Sequence, residues 1–477
     1  MSTQPIDSGA ETPALDYQSD RAFLGHPRGL GYLSFAEAWE RFSYYGMAAL
    51  LALYGSKQLF QPGHIETIWG FAPFRELLES LYGPLTPLTL GGAIAALYGS
   101  LVYLTPIAGG YIADRFIGRT RAVTTGAILM AAGHFFMTFD QTFVLAMACL
   151  LIGVGFFKGN IAAQVGDLYA PGDLRRADAF QIYMLGIQIA VIAAPIVCGW
   201  LGQKVAWHFG FGAAGVGMLI GLTVYLSGRR WLPAEPAAKQ GGIVEPRPKL
   251  VKGEGVRIVV LALLVPVLAF TAVGNQQLFA AYELWGDAHY QLRFFGWEMP
   301  ATFLISFDAI ISTITMAGSV VFWRWWSTRR TEPNELTKLT IGSIIAMLAP
   351  LVLALASLHE AATGEKVSLA WGLAFHILND VGFANIFPVG LALYSRASPK
   401  AIGSTMLAVY YLNLFLAGLI VAKLATLLGT LSGFQFWGLH ALLMAGASVV
   451  LLVVRGVAGR LLAPTVDPEA ELQPVGA

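Results

Sequence analysis

Residues 35–46 read Phe35-Ala36-Glu37-Ala38-Trp39-Glu40-Arg41-Phe42-Ser43-Tyr44-Tyr45-Gly46, inside a run that is otherwise mostly apolar from 33 to 55. Wound as a helix, Glu37, Glu40, Arg41, Tyr44 and Tyr45 stand at i, i+3, i+4, i+7 and i+8 and share one face. A run of roughly 20 apolar residues is long enough to cross a bilayer, and each charge turned to lipid at its centre costs about 3 kcal/mol or more. Three ionisable groups on one face therefore belong against a cavity or a partner helix. A static ion-pair cluster locking helices together is the plainer alternative. Buried ion pairs are poor stabilisers, however, and intramembrane charge usually marks an ion or solute path.

Eleven further apolar runs follow, near 91–113, 121–139, 143–165, 179–201, 208–228, 256–280, 299–323, 339–358, 368–394, 401–427 and 434–455. Hydrophobic residues make up 56% of the 477 and charged ones 12%, about half the charged share of a soluble domain. The mean hydropathy of +0.62 agrees. These numbers predict an all-α integral membrane protein of twelve spans. A formal charge of +1 gives no reason to expect a nucleic-acid partner. Cys149 and Cys198 both fall in apolar runs and read as buried small side chains, so neither a disulfide nor a metal site is expected.

The distribution of Lys and Arg sets the expected orientation. With a cytoplasmic N-terminus, 22 of the 30 fall in cytoplasmic segments, six outside and two within spans. The predicted organisation is a cytoplasmic tail (1–30), a six-helix bundle (31–228), a basic, proline-bearing cytoplasmic linker (229–255), a second six-helix bundle (256–456) and a cytoplasmic tail (457–477). The first thirty residues lack an apolar core followed by a cleavage site, so they read as a tail and not as a signal peptide. The expected location is the plasma (inner) membrane, multi-pass. The connection 56–90 contains Ile65-Glu66-Thr67-Ile68-Trp69 and Phe74-Arg75-Glu76-Leu77-Leu78, which predict a short interfacial amphipathic helix. Two six-helix halves joined by a linker is a transporter layout. No phosphate-binding loop is present, so an ion gradient is the expected energy source. The absence of HExxH and GxSxG patterns argues against an intramembrane enzyme.

Further polar residues interrupt the later spans. Lys158 stands alone in the fourth and needs a counter-charge, for which a first-span carboxylate is the natural expectation. Asp308 lies mid-span in the eighth run. In the tenth, His376 and Asp380 stand at i and i+4, which predicts a hydrogen-bonded pair serving as a proton relay or amine site, or else packing the helix. Gln188, Asn275, Gln276, Tyr410 and Tyr411 are candidate pocket residues beside Tyr44 and Tyr45. Asn379, Asn385 and Asn413 read as packing groups.

Between the second and third runs, Gly110-Tyr111-Ile112-Ala113-Asp114-Arg115-Phe116-Ile117-Gly118-Arg119 resembles the cytoplasmic loop signature of the major facilitator superfamily. The first-span segment resembles the ExxERFxYYG signature of the proton-dependent oligopeptide transporter (POT) family, a branch of that superfamily. Phe156-Phe157-Lys158-Gly159-Asn160, Val165-Gly166-Asp167-Leu168-Tyr169, Ala194-Pro195-Ile196-Val197-Cys198-Gly199 and Pro388-Val389-Gly390-Leu391 extend the likeness over most of the chain. The resemblance implies the major facilitator fold, with proton-coupled symport of small peptides or another compact polar solute by alternating access. It further implies a monomer in lipid that needs no cofactor beyond the proton gradient. Glu37, Glu40, Arg41 and Lys158 would couple protons and gate; Gly110, Asp114, Arg115, Gly118 and Arg119 would form the cytoplasmic gate.

The chain also departs from the family. Ala48 replaces an arginine, Asn275 (before the retained Gln276) replaces an acidic residue, and Phe383 after Gly382 replaces a glutamate. Asp308 stands where an asparagine is usual, and the bacterial family's extra helix pair between the halves is missing. Asp308 is therefore the expected second-half protonation or cation site, with Asp380 beside it in the coupling role, and plain peptides are expected to fit poorly. A proton/drug antiporter and a POT-like carrier of a non-peptide solute are the competing readings.

Overall fold

The computed structural model describes residues 20–170, 173, 175–232, 254–399 and 402–462. Most of both tails and linker residues 233–253 lie outside these. Among the described residues, twelve long helical units overlap the twelve expected runs. Spans 1 to 6 are Arg28–Tyr54, Pro87–Ile112, Arg119–Phe136, Phe143–Asp167, Arg175–Trp200 and Trp207–Ser227. Span 7 is built from Glu254–Thr271, Val273–Gln276 and Glu283–His289. Spans 8 to 12 are Phe303–Ser327, Glu335–Ala346 continued by Leu348–Thr363, Leu369–Ala397, Gly403–Ala425 and Gly433–Leu462. Ten of the twelve are long and apolar enough to cross a membrane by composition alone. Span 1 carries the three-charge face, and span 3 opens on Arg119 and Arg121.

The segment before span 2 forms a turn at Ile65–Thr67 and the helix Phe71–Tyr82. This helix buries Phe71 and Leu78 and leaves Leu77 and Leu81 exposed, with Trp69 exposed just before it, as an interfacial helix requires.

Small residues set the helix spacing. A Cβ on Gly109 of span 2 would lie 2.0 Å from the Gly155 carbonyl oxygen of span 4, so the two backbones cross where no side chain fits. Gly110, the neighbour in the signature, meets nothing within 4 Å. Gly118 has φ +79°, a conformation that glycine adopts without strain, and it turns the chain from span 2 into span 3.

Contacts between the halves run through span 2 against span 11 and span 5 against span 8. These are the second and fifth helices of each half, as expected for two repeats related by a pseudo-two-fold axis. At the face away from the described chain ends, Lys57 Nζ reaches Asp287 Oδ2 at 2.5 Å and Lys204 Nζ reaches Glu298 Oε2 at 3.2 Å. Lys423 there donates to the Tyr82 carbonyl at 2.7 Å. Nearer the middle, Gln188 donates to Thr313 Oγ1 at 2.9 Å, and Ser100 to the Phe415 carbonyl. At the face carrying the chain ends, the ion pairs among the described residues stay inside one half: Arg119 with Asp114 and Asp167, Arg396 with Glu335, Lys338 with Glu332. The molecule is therefore clasped at one face.

Span 7 is not a continuous helix. A π-turn, Leu278–Tyr282, separates its segments, and Ala280 leaves helical geometry altogether (φ −131°, ψ −109°). Such a break frees backbone groups that need new partners. Gln277 Oε1 accepts from the Ala281 N–H at 3.1 Å, while its amide nitrogen lies 2.7 Å from His440 Nε2 in span 12. A buried side-chain pair thus stabilises a built-in hinge.

Candidate functional site: a charged cavity between the halves

A cavity of about 690 Å³ lies between the two bundles. Its first wall comes from span 1, which presents Glu37, Arg41, Tyr44, Tyr45 and Ala48, as the helical spacing predicts. Arg41 Nε lies 3.0 Å from Glu37 Oε1 and 2.5 Å from Glu40 Oε2, and all three side chains are at most 4% exposed. Glu40 sits behind the wall, fully buried. Two carboxylates share one guanidinium, so the trio carries a net negative charge when all three groups are ionised.

Lys158 enters the same cavity from span 4. Its expected ion pair with a first-span carboxylate does not form: both carboxylates turn to Arg41, and Lys158 Nζ lies 4.7 Å above the Tyr103 ring. Arginine's fork reaches two acceptors along its own helix. The ammonium is left against an aromatic face, a cation–π contact. Glu37 and Glu40 remain near enough to act on Lys158 through space.

The second half contributes Asn275, Gln276 and Phe279 of span 7, Asp308 and Ser312 of span 8, Phe383 and Phe387 of span 10, and Tyr411 of span 11. Gln188 of span 5 also lines the cavity. His376 and Asp380 do not line it, and they do not pair as expected. His376 Nδ1 instead lies 2.8 Å from Asp308 Oδ1, and its Nε2 lies 2.7 Å from the Tyr282 hydroxyl. The i, i+4 spacing keeps His376 and Asp380 on one face, but a neighbouring span supplies the better-placed partner. Asp380 is 1% exposed; its Oδ1 accepts from Asn379 and its Oδ2 has no hydrogen-bond partner. One donor atom from each of Asp308, His376 and Asp380 lies within 4.8 Å of the others. Two carboxylates that close repel unless a proton or cation lies between them.

Tyr410 is the other displaced candidate. It is buried, donates to the Phe387 carbonyl at 2.6 Å and packs on Gly390; Tyr411 takes the place at the cavity. Sequence reasoning also passed over Tyr98, Tyr103 and Tyr183. Tyr98 stacks on Tyr44, with centroids 6.0 Å apart, and all three line the cavity. Their only sequence signal is aromatic spacing in apolar helices, which core residues share.

The signature loop lies at the face carrying the chain ends. Arg119 bridges Asp114 (3.2 Å) and Asp167 (2.5 Å), tying span 3 to the ends of spans 2 and 4. Arg115 is exposed, and Gly118 makes the turn.

Two six-helix bundles around a mixed-charge central cavity, clasped at one face, define a secondary transporter of the major facilitator type. Residues 120–251 match the POT family (PTR2). The uncharacterised transporter YclF of Bacillus subtilis is 28% identical over 93% of this chain and 96% of its own length. A di-/tripeptide transporter of Lactococcus lactis is 25% identical over 92% of this chain and 97% of its own. A crystal structure of a POT peptide transporter in complex with sulfate superposes with a TM-score of 0.79 and 26% identity, covering 94% of this chain and 100% of that one. These likenesses in sequence and fold support a POT family member. The chain is an integral, multi-pass membrane protein and a transporter, not an enzyme.

Proposed function

We propose that the chain is a proton-coupled symporter that takes up a small zwitterionic solute, peptide-like or more compact, by alternating access. The observation that carries this reading is the cavity itself: Lys158 from one half and Asp308 from the other place opposite charges in one pocket, beside the Glu37–Glu40–Arg41 cluster. A solute with an anionic and a cationic end can meet both halves at once, and contacts to both halves are what draw two bundles together. Lys158 suits the anionic end and Asp308 the cationic end. A hydrophobic-cation antiporter gains nothing from Lys158 in its pocket.

Glu37 and Glu40 supply the coupling groups. With both ionised, their charges cancel Arg41 and Lys158; one proton shifts the pocket by one positive charge and strengthens its attraction for an anionic solute end. Binding and protonation are linked because they share the same charges. No cofactor is required.

Ala48 and Phe383 both line the cavity, and Phe383 stacks on Phe387 at 5.5 Å. The pocket therefore offers apolar surface where charges would meet the ends of a simple peptide. The Lactococcus relative carries di- and tripeptides by name; in this chain Lys158 and Asp308 are the opposite charges that the pocket offers to the two ends of a solute. The excess of Lys and Arg in the loops supports cytoplasmic chain ends and a plasma-membrane location; on that reading the clasped face is outer and the conformation inward-facing. The two gates would be Lys57–Asp287 with Lys204–Glu298 outside, and the Asp114–Arg119–Asp167 network inside. The transporter is expected to act as a monomer.

The test is uptake into proteoliposomes, with the lumen alkaline relative to the outside, from a panel of zwitterionic, anionic and cationic solutes. Accumulation of a zwitterion above its outside concentration, abolished by a protonophore, is the expected result. Gradient-independent equilibration of every solute overturns the reading, and export of a lipophilic cation would favour an antiporter.

A further inference from the structure

Glu283 begins the last helical segment of span 7, just beyond the π-turn. Its exposure is 0%, and neither carboxylate oxygen has a hydrogen-bond partner. It does not line the central cavity, and nothing in the coupling scheme above uses it. A buried acid this isolated is unusual. An ionised carboxylate stripped of water without a partner costs several kcal/mol, enough to empty that state in favour of the protonated one.

The surroundings explain where the proton would matter. Asp287 stands one turn farther out on the same helix and pairs with Lys57 of the first half at 2.5 Å. The ionisable groups near enough to act on Glu283 are Asp287 on its own segment and Lys57 across the interface. Lys57 is committed to Asp287, and Asp287 is a like charge. His289, farther along the segment, faces Glu360 at 2.7 Å within the second half, and His64 faces Asp140 at 2.7 Å within the first. Neither histidine pair spans the gate. Glu283 thus lies just inside the outer clasp, on a segment set off from the cavity-lining part of span 7 by the break at Ala280. If that segment swings on the break as the clasp opens, Lys57 and Asp287 separate and water reaches Glu283.

We propose that Glu283 is a proton-binding site loaded by closure of the outer gate: the open gate exposes an ionised carboxylate, and closing it requires one proton from outside. The site is distinct from the Glu37–Glu40 cluster and lies in the opposite half. It rests on the reading of the chain as a two-gate carrier, and it makes outer-gate closure favourable in acid and unfavourable in alkali. The linkage is that of one proton, so the closed-to-open ratio changes up to tenfold per pH unit where the group titrates.

The gate can be observed without solute or gradient. The full chain, with Cys149 and Cys198 replaced by Ala and spin labels attached through Thr67→Cys and Glu365→Cys, is placed in lipid nanodiscs, and the label-to-label distance distribution is recorded from pH 5 to pH 9. The expected result is a growing long-distance population at high pH in the parent and a closed, pH-independent distribution in Glu283→Gln. Glu283→Met removes the acid while filling the apolar site, so it guards against a folding defect in the Gln variant and should give the same flat profile. Glu283→Asp should keep a pH response. A Gln or Met variant that follows the parent's pH profile overturns the proposal, as does a parent whose distances ignore pH. Because no transport is measured, failure here leaves proton-coupled uptake standing, and failure of uptake leaves this result intact.

Discussion

Replacing Arg41 with Met keeps most of the side-chain volume and deletes the one cation that holds Glu37 and Glu40, at 3.0 and 2.5 Å, in a site where none of the three is more than 4% exposed. Removing one partner of a buried ion pair destabilises by about 3–5 kcal/mol, because the remaining charge is left uncompensated. Two carboxylates are orphaned here, and Lys158 relieves part of the repulsion by moving toward them, so about 3 kcal/mol is the expected net loss. At roughly 2 °C per kcal/mol for a large chain, this lowers the melting temperature by about 6 °C. The loss carries a pH signature. Without Arg41 the two buried carboxylates repel each other inside the fold, and acid removes that repulsion by neutralising them, so the stability deficit shrinks as pH falls and widens as it rises. Thermal unfolding followed by tryptophan fluorescence in detergent, from pH 5 to pH 8, reads both effects. Adding Glu40→Gln to Arg41→Met removes one orphaned charge and should recover more than half of the loss, a non-additivity expected only of groups in contact. A variant that melts within 1 °C of the parent at every pH would refute the shared-guanidinium account.

Three further outcomes follow from the cavity. Glu37→Gln and Glu40→Gln should each abolish uphill accumulation under a pH gradient; with a one-unit gradient and 100 mV, one proton per cycle supports about 3.7 kcal/mol, or roughly 500-fold accumulation, and radiolabelled uptake at equilibrium should fall to parity while thermal stability is kept. Asp308→Asn retains the side chain's shape and a hydrogen bond toward His376 but loses the charge, so solute exchange should persist while uphill accumulation is lost, with zwitterion affinity falling about 10- to 100-fold for a charge-assisted contact of about 1.5–3 kcal/mol; accumulation equal to wild type sinks the role of Asp308. Dialanine and similar peptides should bind weakly, since an unpaired peptide end against Ala48 or Phe383 costs a few kcal/mol, and low-micromolar competition by such peptides would contradict this.

The spans were legible because twenty-residue apolarity is a strong signal, and the first-span face was legible because three charges on one helical stripe have nowhere else to go. Glu37, Arg41, Tyr44 and Tyr45 reach the cavity as spacing alone required. What stayed hidden depends on packing between helices distant in sequence. Helical periodicity places His376 and Asp380 on one face but cannot know that span 8 brings Asp308 within 2.8 Å of the imidazole. It shows that Lys158 needs compensation, yet not that Arg41 takes both carboxylates first. Tyr410 and Tyr411 are adjacent, so a rotation of about 100° per residue decides which one meets the pocket. Glu283 was illegible for another reason: one acid near a span's outer end reads as interfacial, and only the packed clasp buries it. The break at Ala280 has no glycine or proline to announce it.

The most direct test of proton-coupled symport reverses the usual experiment and asks the solute to move the proton. Proteoliposomes loaded with a pH-sensitive dye start with equal pH on both sides, the membrane potential clamped at zero with potassium and valinomycin, and receive an inward gradient of a transported zwitterion. The account predicts acidification of the lumen that follows solute entry and is absent with Glu40→Gln. Solute entry with no change in luminal pH, or with alkalinisation, would contradict it.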